Sequence, residues 1–245
     1  KGFYDRNFVA FLKAKPNEGH EAIAKLAVMF PSVVVLTQNV DGLHRGVPRS
    51  QLVEAHGTLS RLKCVTHTCE YAESATVPIL LPKKYDEFNL PVCPACGSVL
   101  CSAVLQFDED YESHAVFESE RAWGWLKSAS AVVFVGTSFA VGITREAVQA
   151  CVKRQIPCFS FNTVVPEAVR RQRRLNLVHV LGFASETLPA MVDAIADLVG
   201  VNDDCVIPAQ TKKPRLLPHE PHSPRAIDSI PASSSTNTES ERNQR

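Results

Sequence analysis

The sequence lacks an excess of either charge, any long apolar run and an initiator methionine, and each absence excludes something. Its 26 basic side chains face 26 acidic ones, so the overall field favours neither a polyanion nor an anionic membrane surface. No direct nucleic-acid partner is expected. The apolar runs, Val132 to Val135 among the longest, are far too short to span a bilayer, and no charged segment followed by a signal-peptide core opens the chain. The expectation is a soluble, intracellular protein of the nucleus or cytoplasm with no membrane partner; the oligomeric state is left open. The first residue, Lys1, reads as the start of a fragment, a processed chain or an incomplete gene product.

At 45% apolar and 21% charged side chains, 245 residues suffice for one large domain or two small ones with a real core. Asn17 after Pro16 reads as a helix cap, and Ala22, Ile23, Leu26, Ala27 and Phe30 follow at helical spacing. Val33-Val34-Val35-Leu36 is β-branched and apolar without alternation, the pattern of a strand buried on both faces of a parallel sheet. The pattern recurs at Val132 to Val135, at Ile156 to Phe161 and, shorter, at Val178 to Leu181. Helix-compatible stretches at Thr144 to Arg154 and Pro166 to Arg174 lie between these strands. The last strand leads into Met191, Ala194, Ile195, Leu198 and Val199, a helical stripe. Strand alternating with helix predicts a doubly wound α/β sheet over residues 1–200. His56 to Cys101 breaks the rhythm, so a small module is expected to be inserted at about residues 57–105. Residues 201–245 carry six prolines and a Ser-Ser-Ser-Thr-Asn-Thr tract, too little apolar surface to offset ordering, and are expected to be a disordered tail. Within it, Lys212-Lys213-Pro214-Arg215 has the composition of a nuclear import signal.

Eight cysteines could form a disulfide set in a small secreted chain, but here four fall in two tight pairs, Cys64-x4-Cys69 and Cys93-x2-Cys96. This is close to the two-knuckle spacing by which four thiolates close a tetrahedron around Zn²⁺, and Pro94 and Gly97 suit the turn of the second knuckle. Four protein ligands leave no open position, which makes the metal structural. His67 lies inside the first pair and Cys101 is a spare thiol, so either could replace a ligand.

Two apolar strands end in small polar residues: Leu36 runs into Thr37-Gln38-Asn39-Val40-Asp41, and Val135 into Gly136-Thr137-Ser138. In open α/β sheets the ligand crevice lies beyond the carboxyl ends of the strands, so both segments, with Phe161-Asn162-Thr163, are placed to face it. Amide side chains can pair with a carboxamide or a ribose, and a glycine lets backbone donors approach closely. His56-Gly57 sits where the inserted module meets the sheet, and an imidazole is the commonest general base.

Taken together, Thr37-Gln38-Asn39-Val40-Asp41-Gly42-Leu43-His44, then His56-Gly57, the two cysteine pairs and Gly136-Thr137-Ser138 resemble the sirtuin sequence blocks in order and approximate spacing, over roughly Pro16 to Gly200. The resemblance implies a Rossmann-like domain plus a small zinc and helical domain. In the cleft between them, NAD as co-substrate would meet an acyl-lysine protein or peptide. It implies NAD-dependent protein-lysine deacylation, with the acyl group passing to ADP-ribose as nicotinamide is released. His56 would be the catalytic base. Gln38, Asn39 and Asp41 would line the nicotinamide and ribose side, and Gly136, Thr137, Ser138, Asn162 and Ala184 would hold the rest of the dinucleotide.

The chain departs from the family at Cys101-Ser102, where relatives commonly have Arg-Pro, at Phe107-Asp108-Glu109 in place of Phe-Gly-Glu, and at Gly142-Ile143-Thr144, where many have a proline. The family's opening Gly-Ala-Gly loop is not found between Lys1 and Pro31, so the 245 residues as they stand are expected to keep zinc but to bind NAD poorly and to show no useful deacylase activity. Competing readings are a zinc-ribbon binding module, a non-catalytic sirtuin-like scaffold, and an ADP-ribosyl transferase using the same NAD chemistry.

Overall fold

The computed structural model describes residues 14–79, 90–140, 142–170 and 174–200. The tail expected to be disordered, and the import-like run within it, lie outside them.

Helix α1 (Glu18–Met29) starts where the sequence places it: the Asn17 side chain accepts the His20 main-chain N–H at 3.2 Å, and the His20 ring returns to the Asn17 N–H. Its end has no glycine; the buried Gln51 amide instead reaches the carbonyls of Ala27, Phe30 and Val33. β1 (Val35–Thr37) pairs in parallel with β2 (Leu52–Glu54), Val35 opposite Leu52. A second parallel sheet has the order β6-β7-β8, formed by Val132–Val135, Cys158–Asn162 and Leu177–Leu181. Between these two sheets in sequence lies an antiparallel one, β4-β3-β5, made of Val77–Pro78, Gly57–Cys64 and Leu100–Val104. Helix α2 (Glu70–Glu73) belongs to this module, and α3 (Ser119–Ser128) leads back to β6.

Helices cover both faces of the β6-β7-β8 sheet, as a doubly wound architecture requires. On one face Phe134 and Cys158 pack with Ala147 and Cys151 of α4 (Gly142–Arg154) and Val169 of α5 (Glu167–Arg170). On the other, Phe161 packs with Ala22 of α1 and with Leu188 and Val192 of α6 (Ala184–Val199). Of the expected helical stretch Pro166 to Arg174, α5 covers Glu167–Arg170, and residues 171–173 lie outside the described ones.

Two expectations are corrected. The apolar strands are not buried on both faces throughout: Val133 and Val178, in one row across the sheet through Phe159, are 43% and 52% exposed. The inward stripe of α6 is Leu188, Val192 and Ala196, while Leu198 of the expected stripe is 85% exposed. The fully buried Leu188 sets the row, and positions four and eight further on follow it; the sequence count began one residue off that row, at Met191, and carried the error to the helix end.

The module is closed where it joins the sheet. Gly57 pairs with Val104, and the Leu105 N–H donates to the His56 carbonyl at 2.9 Å. Gly57 has φ 75°, and a Cβ there would stand 1.9 Å from the Ala103 carbonyl oxygen and 2.9 Å from the Phe117 ring. Gly57→Ala is therefore expected to destabilise the fold by about 3 kcal/mol or more. An unchanged urea midpoint would show that β5 can shift to make room.

Candidate functional site

β1 delivers Thr37 to the carboxyl edge of its sheet, and the chain then turns on its own side chains. The Thr37 hydroxyl accepts the Asn39 N–H at 3.1 Å, and the Asp41 carboxylate accepts the Leu43 N–H at 3.0 Å. The Gln38 side chain leaves this turn and donates to the buried Thr144 hydroxyl in the first turn of α4, at 2.6 Å. Asn39 is exposed and Asp41 half-buried.

The end of β6 is built the same way. Gly136, at φ 59°, donates its N–H to Phe161 at 2.9 Å and has open space where a Cβ would be. The Thr137 and Ser138 hydroxyls accept the N–H groups of Phe139 and Ala140. Phe139 holds φ 62°, uncommon for an aromatic residue, because its buried ring packs 4.8 Å from that of Phe134. Asn162 ties two strand ends together, donating to the Thr137 carbonyl at 2.9 Å and accepting the Thr163 N–H. Ala184 opens α6, where its carbonyl would lie 3.0 Å from a Cβ on Gly19 of α1.

His56 occupies the link between β2 and β3, half-buried. Its Nε2 lies 3.1 Å from the Tyr111 hydroxyl, and the two rings are 5.8 Å apart at 29°. Burial lowers its pKa below the ordinary histidine value, with a hydrogen bond to the Gln38 main chain pulling the other way. Burial raises the pKa of Tyr111, with the Ile143 main chain pulling the other way, and a Cβ on Gly142 would lie 4.0 Å from the Tyr111 ring. The first turn of α4 thus receives Gln38 from one predicted segment and Tyr111 from the neighbourhood of His56.

Tyr111, Ile143 and Thr144 were not among the expected site residues. Tyr111 stands in an acidic, aperiodic stretch, and Gly142-Ile143-Thr144, noted only as a departure from the family, is the first turn of a helix. A shallow depression of about 490 Å³ is lined by Tyr111, Trp123, Gly142, Arg145, Glu146 and Gln149. Also unforeseen is the buried Lys63, which pairs with Glu109 and lies 5.2 Å over the Phe117 ring, pinning the loop after β5 to β3.

The sulfurs of Cys64, Cys69, Cys93 and Cys96 all lie within 4.8 Å of one another. Cys64 and Cys96 are 3.5 Å apart and Cys69 and Cys93 3.6 Å, close to the roughly 3.8 Å edge of a tetrahedron with Zn–S bonds of about 2.3 Å. The Ser98 hydroxyl and N–H pull the Cys96 thiol down to about 6, so this sulfur is readily a thiolate. Donor type and spacing fit a structural zinc ion. His67 is exposed and outside the cluster, and Cys101 is not part of it, which decides between the alternatives left by the spacing.

The fold and site define a class: a doubly wound α/β domain with polar strand ends at one rim and a four-cysteine zinc module inserted beside them. The chain belongs to the Sir2 family, whose model matches residues 2–142. It is 34% identical over 194 residues to the NAD-dependent deacetylase sir2E of Dictyostelium discoideum, covering 74% of this chain and 55% of that one. An NAD-dependent protein deacylase of Thermococcus kodakarensis is 38% identical over 139 residues, covering 57% and 52%. The chain thus spans about half the length of these curated relatives. Among solved structures, a Sir2 homolog–NAD complex superimposes with a TM-score of 0.66 at 22% identity, covering 80% of this chain and 71% of that one, a likeness that carries the fold.

Proposed function

We propose that the protein is an NAD-dependent protein-lysine deacylase in which His56 is the general base. The observation that carries this is the position of His56: a half-buried imidazole at the junction of the α/β sheet and the zinc module, with Gln38 beside it and Tyr111 at Nε2. The names of the relatives, NAD-dependent deacetylase and deacylase, supply the reaction class.

The residues present fit NAD. Gly136 offers open space over a backbone turned out at the strand end, and Asn39 and Asp41 present amide and carboxylate groups at the neighbouring rim. When bound, NAD supplies the ribose carbon that accepts the acyl group and nicotinamide as leaving group. Gln38, Asn39 and Asp41 would hold the nicotinamide and ribose side, the Gln38 side chain being fixed in place by Thr144. Gly136, Thr137, Ser138, Asn162 and Ala184 would hold the remainder, with Asn162 keeping the ends of β6 and β7 in register. His56 would take a proton from a ribose hydroxyl, a task suited to a ring that burial keeps neutral. An acylated lysine on a protein or peptide is the substrate class. Nucleic acid has no part in this reading, given the balanced charge.

The test is nicotinamide release from NAD with an acetyl-lysine peptide, for the parent and His56→Ala. His56-dependent release is the expected result. Absence of release, with acyl-peptide binding retained, would favour the scaffold reading instead.

A further inference from the structure

We infer that His114 is an acid-released latch: while its ring is neutral it ties the zinc module to the turn that leads into α3, and protonation of the ring opens that turn. Two contacts fix where the neutral ring carries its proton. Nδ1 lies 2.9 Å from the Val116 main-chain nitrogen, whose N–H can only donate, so Nδ1 is bare. Nε2 lies 3.2 Å from the Ala75 carbonyl oxygen, which can only accept, so Nε2 holds the proton. A second proton can go only on Nδ1, where it meets the Val116 N–H head-on and takes away that donor's acceptor. Nothing nearby is free to welcome the charge. His114 is 2% exposed, and the Phe117 ring, which it meets edge-on at 6.1 Å, is fully buried. The groups facing it are the Lys63 ammonium from β3, the Glu109 carboxylate from the turn after β5, and Tyr71 of α2 through its main chain. Glu109 already gives one oxygen to Lys63 and the other to the Gln106 N–H at 2.8 Å. Burial, the largest influence on the His114 pKa, lowers it.

The latch joins two parts that have little else in common. On the module side, the Ala75 N–H closes α2 on the Glu70 carbonyl at 2.9 Å, and Arg61 of β3 holds the next residue by the Thr76 carbonyl at 3.0 Å. On the other side, His114 caps the short 3-10 turn Ala115–Phe117, and Glu118 directly after it pairs with Arg49 and Arg121. The Phe117 ring lies under the Lys63 ammonium, 5.2 Å from it. Opening the turn therefore loosens the ring on which Lys63 rests and frees the Ala75 edge of the module. It also reaches the candidate site, because Tyr111, three residues before His114, stands 3.1 Å from His56 Nε2. The sign follows from the chemistry. The folded site binds the neutral ring, so the latch is fully closed above the ordinary histidine value of about 6.5 and is lost as pH falls below it.

The experiment reads the ring and the turn without asking for turnover. In protein labelled at the histidine ring nitrogens and kept saturated with zinc, the His114 signals, assigned by their loss in His114→Asn, should show Nε2 protonated and Nδ1 bare at pH 7.5. Hydrogen exchange of the Val116 and Phe117 amides, divided by the intrinsic rate at each pH, should lose about three- to tenfold in protection between pH 7.5 and 5.5, while β6, β7 and β8 keep theirs. His114→Asn, whose side-chain oxygen can still accept the Val116 N–H but cannot titrate, should show the same protection at both pH values. If that variant does not fold, the parent's ring state and its pH-dependent exchange decide alone. A parent ring protonated at Nδ1, or protection of Val116 and Phe117 that does not change with pH, would overturn the inference. So would a loss that comes only together with loss across β3 and β5, which would assign the acid sensitivity to release of zinc.

Discussion

His56→Ala is expected to lower kcat/KM for deacylation by about 10²- to 10⁴-fold, the usual contribution of a positioned general base, while leaving zinc content and fold intact. The fold should survive because, among the described residues, the imidazole's side-chain hydrogen bond is to the Tyr111 hydroxyl, and the structural link at this position runs through its carbonyl to Leu105. The pH dependence has a definite sign. Burial lowers the pKa of His56, so its base form predominates at neutral pH and the acid limb of activity should fall below the ordinary histidine value of about 6.5. His44 and His114 are lowered as well, each chiefly by burial. All three bind protons more weakly folded than unfolded, so stability is fully present above about pH 7 and is lost as pH falls through and below the ordinary histidine range. His56→Ala should remove part of that acid sensitivity, measured as a smaller drop in urea midpoint between pH 7.5 and 5.5. Turnover within a few-fold of the parent would remove His56 from catalysis.

What could be read in the sequence was what short-range physics decides. Asn17 caps α1 because its side chain needs to look only three residues ahead, and each cysteine pair is a chelating turn that its own spacing describes. The polar strand ends were visible for the same reason: Thr37 and Thr137 bond their own loops two residues on. The contacts that join these pieces were not visible. Gln38 meets Thr144 across 106 positions and His56 meets Tyr111 across 55, and no local pattern encodes a partner at such range. Lys63 shows the same limit from the other side. A lysine in a strand is ordinarily solvated, and its burial makes sense only once Glu109 and the Phe117 ring are known to cover it. The α6 stripe failed for a further reason: at that helix several rows are apolar enough, and packing of Leu188 against the sheet, not composition, chose among them.

Removing the metal is expected to melt the zinc module while sparing the parallel sheet. Among the described residues the buried members of the module core are Leu62, Cys64, Cys69, Cys93 and Leu100, so three of the five are candidate metal ligands. Tyr71, Ala72, Val77 and Ile79 add partly buried surface, too little to order three short strands without the ion. A structural zinc site contributes on the order of 10 kcal/mol of apparent binding free energy at neutral pH, and that energy is available only to the folded module. The β6-β7-β8 sheet draws on separate cores with α4, α1 and α6, which contain none of the ligands. The purified protein should therefore carry one zinc ion per chain. Cys93→Ser with Cys96→Ser, or a strong chelator, should abolish hydrogen-exchange protection in β3 and β5 and leave it in β6, β7 and β8. Because the Leu105 N–H is held by the His56 carbonyl at the module's base, deacylation should fall as well. His67→Ala and Cys101→Ser, both outside the cluster, should keep the full zinc content. A parent protein with zinc near zero, or a module whose protection is unchanged by chelation, would show that the four sulfurs are packed together for some purpose other than holding a metal.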